Sequence, residues 1–159
     1  MHRRPRLRLL LLTAIPGVVA AAAVGGVLAL RQGPVDVAAP PGGSDPACAR
    51  LAGRLPATLH GQPRRATRTT SPAVAAWGDP AIVWRCGVAA PGPTEDECTR
   101  VNGVDWVRVP LDDGSAFTTY GREPAVQLLV PKAYAPEPLL LPALSAVVRA
   151  VPQGPHRCI

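Results

Sequence analysis

Missing motifs exclude more about this chain than present ones assign. No Cys-x-x-Cys pair occurs, and His60 and His156 are not spaced as ligands on one element, so a zinc site is not expected. Ser71, Ser115 and Ser145 lack the Gly-x-Ser-x-Gly surroundings of a nucleophile elbow. No glycine-rich phosphate loop is present, because Asn102-Gly103 and Asp113-Gly114 read as turn glycines. The acidic triplet Glu95-Asp96-Glu97 lacks the alternating spacing and turn glycine of a calcium loop and reads as a solvated turn. No catalytic residue, metal or cofactor is therefore assigned. Lys132 is the only lysine; beside abundant Ala, Pro, Gly and Arg this reflects base composition, not function.

The formal net charge of +6 does not point to nucleic acid. Of the 17 basic residues, five (Arg3, Arg4, Arg6, Arg8 and Arg31) flank an N-terminal apolar run, leaving 12 to balance all 11 acidic residues. A near-neutral remainder has no field to gather phosphates.

Leu9 to Leu30 carries no charge over about 22 residues, enough to cross a hydrocarbon core of roughly 30 Å as a helix. The arginines before it place the N-terminus in the cytoplasm and the rest outside. Residues 1–31 thus read as a signal anchor held in the cytoplasmic membrane. The small residues Ala20 to Ala23 keep open a cleaved signal and a secreted product. Residues 32–44, rich in Pro and Gly, read as a linker, and 45–159 as an extracytoplasmic domain.

Within that domain Asp45-Pro46 opens a helix, with Cys48, Leu51, Ala52 and Leu55 on one face. Ala57 to Ala76 reads as a long loop containing Arg64, Arg65 and Arg68. After the Gly78-Asp79-Pro80 turn, Ile82, Trp84, Cys86 and Val88 alternate with Ala81, Val83, Arg85 and Gly87, which predicts a strand with one buried face. Ala89 to Thr99 reads as a connection. Further strands are expected over Val101 to Val109, Ala116 to Tyr120 and Ala125 to Val130, with a hairpin at Asp113-Gly114. Leu140, Leu141, Leu144, Val147, Val148 and Val151 fall at helical spacing before Pro152. The expected fold is α+β: a four-stranded antiparallel meander packed by an N-terminal and a C-terminal helix. An even count of cysteines after an export segment predicts two disulfides among Cys48, Cys86, Cys98 and Cys158. Sequence leaves three pairings open; the preferred one is Cys86–Cys98 with Cys48–Cys158.

Several stretches carry a family resemblance: Gly61 to Arg65, Ala76 to Pro80 through Arg85-Cys86-Gly87-Val88, Asn102 to Trp106, Phe117 to Arg122, and Val130 to Pro136. On these the chain resembles an actinobacterial family of exported or membrane-anchored proteins known only as a domain of unknown function, number thirty-five-fifteen. The resemblance implies an envelope-associated role outside the cytoplasm and brings no activity, cofactor or catalytic residue.

Three functions compete at this level. The first is a non-enzymatic envelope domain that binds a protein partner or envelope ligand. Its candidate residues are Arg64, Arg65, Trp77, Asp79, Trp106 and Arg122, since Arg and Trp are favoured at interface hot spots. The second is an envelope hydrolase using two carboxylates, for instance Asp79 with Asp105. The third is a structural subunit of a membrane complex, with Ala20 to Gly26 allowing close helix packing.

Overall fold

The structure is a computed structural model that describes residues 33–159. The expected signal anchor lies outside the described residues. Among those described, no helix is long and apolar enough to cross a membrane.

Helix α1 spans Pro46–Ala52. The Asp45 carboxylate caps it by accepting from the Ala47 amide at 2.7 Å, and Pro46 fills a first-turn position where its missing N–H costs nothing. Cys48 and Leu51 face inward. Eight strands follow: β1 (Thr58–Leu59), β2 (Gln62–Arg65), β3 (Val74–Trp77), β4 (Ile82–Val88), β5 (Glu97–Val101), β6 (Val104–Leu111), β7 (Gly114–Thr119) and β8 (Ala125–Pro131). Two 3-10 turns, Lys132–Tyr134 and Glu137–Leu140, lead into α2, Leu141–Val148.

The strands make one antiparallel sheet in the order β1-β2-β3-β4-β8-β7-β6-β5. The expected four-stranded meander between two helices is thus corrected. The protein is mostly β, its sheet is twice as wide, and β8 inserts between β4 and β7. Three of the unforeseen strands lie in the span read as a loop. β2 is Gln-Pro-Arg-Arg, polar and largely exposed, and its pairing with β3 gives no apolar alternation to read. β3 is buried at all four residues, Val-Ala-Ala-Trp, which erases alternation in the opposite way. The fourth, β5, is an edge strand. Asn102-Gly103, read as a turn dipeptide although Val101 to Val109 was expected as one strand, is the two-residue turn joining β5 to β6, with φ of +50° and +79°. Positive φ at both positions is what an Asn-Gly hairpin supplies.

One sheet face holds the core. Trp77, Ile82, Trp84, Trp106, Phe117, Val126, Leu128 and Val130 lie there, and all six apolar positions assigned to the C-terminal helical pattern are buried against this cluster. The Trp106 indole donates to Ser145 Oγ of α2 at 3.0 Å, so even the polar edge of that ring is satisfied inside. The central strand departs from expectation in one respect. Val83, on the opposite side from Trp84, is also only 7 % exposed, so β4 is covered on both faces there.

The disulfides are Cys48–Cys86 and Cys98–Cys158, not the preferred pairing. Period-two geometry explains the correction. Cys86 points to the core face, where α1 brings Cys48. Register through Val107, Thr118 and Gln127 aligns Cys98 with Arg85, on the opposite face from Cys86. Each bridge sits beside a place where two backbones touch through glycine. Before α1, the Gly42 amide donates to Gly87 O at 3.0 Å, at the bulge where the β4–β8 register shifts. After α2, the Gly154 amide donates to Gly121 O at 2.6 Å.

Candidate functional site

Four of the six candidate binding residues come together at the start of β4. Arg64 and Trp77 are cross-strand partners on β2 and β3, and the Arg64 guanidinium carbon lies 4.9 Å from the centre of the Trp77 ring. The ring is fully buried and its Nε1 donates to Pro56 O at 3.0 Å, so Arg64 rests on a fixed platform. Partial desolvation lowers the Arg64 pKa from its ordinary value. Arg65 Nη1 donates to Gly78 O at 3.0 Å and lies 3.6 Å from the largely exposed Asp79 carboxylate. Arg65 therefore braces the turn that carries Asp79. Tyr134, arriving from the turn after β8, donates its hydroxyl to Pro80 O at 2.8 Å, and burial is the main cause raising its pKa. The Asp79-Pro80 and Ala135-Pro136 bonds here are cis. Sequence reasoning missed Tyr134, whose only signal was its place in the last stretch of the family resemblance.

The other two candidates lie elsewhere. Trp106 is wholly internal and belongs to the core. Arg122, in the β7–β8 loop, is buried at the opposite end of β4, near its pairing of Val88 with Ala125.

The carboxylate pair suggested for a hydrolase is not brought together. Asp79 sits on the β3–β4 turn and Asp105 on β6, with β8 and β7 between. Asp105 is also fully engaged. It takes Arg100 Nε at 2.6 Å and Nη2 at 3.0 Å, and accepts from the Cys158 amide at 3.2 Å. The Arg100 hydrogen bonds, opposed by burial and aided by the Cys158 amide, hold its carboxyl below the usual carboxylate range. A depressed folded-state pKa contributes stability that is fully present above the unfolded value of about 4 and is lost as pH falls through the folded one. Asp105→Asn is therefore expected to cost about 2–3 kcal/mol at neutral pH and to flatten the loss of stability below about pH 5. Urea midpoints measured across pH check this, and superimposable profiles for the two proteins would refute it.

The acidic triplet is a surface turn and strand start. Thr94 Oγ1 and Asp96 Oδ2 are 2.7 Å apart, and Glu97 pairs with Arg108 at 3.1 Å. Among the described residues no three His, Cys, Asp or Glu side chains are grouped to hold a metal. Over residues 9–156 the sequence matches the model of the family described as Protein of unknown function (DUF3515). The chain belongs to this family. No curated protein and no solved structure matches it. Of the stretches that carry the family resemblance, those around Arg64, Trp77 and Tyr134 meet at the start of β4. The Asn102 and Phe117 stretches meet at Arg122, whose Nη2 donates to Gly103 O at 2.9 Å.

Proposed function

We propose that this is an exported, disulfide-closed binding domain, tethered to the cytoplasmic membrane by residues 1–31, and that it recognises a protein partner of the cell envelope. Two disulfides and no free cysteine support an oxidising compartment. The long uncharged N-terminal run behind four arginines supports the tether.

The observation that carries the binding reading is the Arg64–Trp77 stack. An exposed guanidinium held over a buried indole has already lost much of its rotamer freedom, so ordering it on contact with a partner costs little. Neighbouring Asp79 gives the face a second, opposite charge, which suits a partner of mixed charge over a uniformly acidic one.

Charge reversal separates recognition from folding here. Arg64→Glu is expected to abolish cross-linked capture of the partner from native membranes while lowering stability by no more than about 1 kcal/mol. Arg65→Ala should lose both, because it braces Gly78 and Asp79. Arg149→Glu, an equal charge change on the exposed end of α2, is the control. Identical capture by the wild type, the Arg64 variant and the control would remove this face from the function.

A further inference from the structure

The two disulfides differ in what can reach them. Cys48 and Cys86 are both wholly buried in the core cluster. Cys98 and Cys158 are half-buried, and both line an open cavity of about 450 Å3 beside the edge strand β5. Its wall also includes Glu95, Asp96, Tyr120 and Arg157. A disulfide that a thiolate can approach in the folded state is the labile kind.

The accessible bridge is also the outer end of a strap. α2 packs on the core face of the sheet, and Val151, just after it, still belongs to the core cluster. The chain then passes round the β7–β8 loop, where Gln153 Nε2 donates to Tyr120 O at 3.0 Å and the Gly154 amide to Gly121 O. By register, Cys98, Val107 and Asp105 lie on the sheet face opposite the core. There Cys158 is bonded to Cys98, and its amide donates to the Asp105 carboxylate at 3.2 Å. The tail therefore crosses from one face of the sheet to the other, and a covalent bond holds its far end. Once that bond opens, the hydrogen bond to Asp105 alone opposes the entropy of a free terminus.

We propose that Cys98–Cys158 is a redox-sensitive latch, opened by a dithiol reductant that leaves Cys48–Cys86 intact. An incoming thiolate attacks Cys98 Sγ, forms a mixed disulfide there and breaks the bond to Cys158, which leaves as a thiolate. The second thiol of the reductant then displaces Cys98. The reductant gives up two electrons and ends as a disulfide, and its two protons end on Cys98 and Cys158. Arg157 in the cavity wall stabilises the leaving thiolate of Cys158. Glu95 and Asp96 oppose the approach, but both are exposed and screened by water, so they slow it only by a small factor. Burial of the other bridge counts for far more, because it must wait for unfolding. Opening frees Cys158 from Asp105 and uncovers that part of the outer face. The latch is independent of the reading given to the Arg64 face.

The test uses the oxidised full-length chain in detergent, treated with dithiothreitol under native conditions, alkylated at intervals and mapped by mass spectrometry. Expected is a species alkylated at Cys98 and Cys158 with Cys48–Cys86 intact, the two bridges opening at rates about a hundredfold or more apart. In that species the Gly154 and Cys158 amides should exchange hydrogen about tenfold or more faster, while those of α1 and β4 keep their protection. Opening of Cys48–Cys86 first or at a matching rate overturns the inference. So does a failure of either bridge to open in the native state, or unchanged tail protection after selective opening.

Discussion

Replacing both Cys48 and Cys86 by alanine is expected to lower the unfolding free energy by about 5–6 kcal/mol, more than the equivalent change at Cys98 and Cys158. Chain entropy alone predicts the opposite order. The bridges span 38 and 60 residues, which corresponds to about 3.9 and about 4.3 kcal/mol in the loop-closure model. Packing reverses the ranking. Cys48 and Cys86 are both wholly buried in the main core cluster, so their loss also leaves voids worth about 1–2 kcal/mol. Cys98 and Cys158 are only partly buried, and the sulfur space there opens to water. Urea unfolding of the two double variants under oxidising conditions measures the difference. A larger loss for the Cys98 and Cys158 variant would mean that loop closure, not core packing, sets the value of each bridge.

That second bridge has a different consequence. It holds Cys158 where its amide reaches Asp105, and so anchors the tail whose Gly154 amide donates to Gly121 O in the β7–β8 loop. One disulfide fastens the core and the other fastens the C-terminal tail.

What was legible in the sequence was legible for identifiable reasons. α1 could be read because Asp45-Pro46 is a start signal whose geometry is local, and α2 because Leu141, Leu144, Val147 and Val148 keep helical spacing; Leu140 and Val151 of the same pattern lie just outside it. β4 could be read because Ile82, Trp84 and Cys86 alternate cleanly. A hairpin between β6 and β7 could be placed from Asp112-Asp113-Gly114, but its two turn residues are Asp112 and Asp113, and Gly114 is the first residue of β7, paired with Leu111. The strands missed are those whose pairing is settled by neighbours instead of by their own pattern. Arg64 and Arg65 are in a strand because Trp77 and Ala76 offer them partners, and nothing in Gln-Pro-Arg-Arg announces it. Treating that stretch as a loop also hid why Arg64 matters, since its stack on Trp77 exists only across the β2–β3 ladder.

The candidate site followed the same division. Residue type pointed to Arg64, Arg65, Trp77 and Asp79, and the fold gathered them. Trp106 was chosen on the same grounds and turned out to be core, because a tryptophan's chemistry does not reveal which sheet face it takes. Arg122 was chosen as a surface arginine and proved to be buried.

Gly87→Ala is expected to cost about 3 kcal/mol or more. The residue has φ of +86°, a conformation that an L side chain adopts at a cost of about 1–2 kcal/mol. Its Cβ would lie 2.2 Å from the carbonyl carbon and 2.3 Å from the oxygen of Gly42, both backbone atoms with no rotamer to yield. Relief requires the segment before α1 to lift from the sheet, which breaks the Gly42 amide bond to Gly87 O and strains the start of the helix that carries Cys48. Hydrogen exchange distinguishes this from general loosening: the Gly42 amide should lose protection while the amides of α2 keep theirs at equal stability. Uniform loss of protection, or an unchanged urea midpoint, would contradict the mechanism. The same reasoning applies to Gly121, where φ is +70° and an added Cβ would lie 2.1 Å from His156 O. There the displaced backbone is the tail after α2, so a clash that opens the N-terminal staple at Gly87 would, at Gly121, break the Gly154 amide bond to Gly121 O and lift the C-terminal tail.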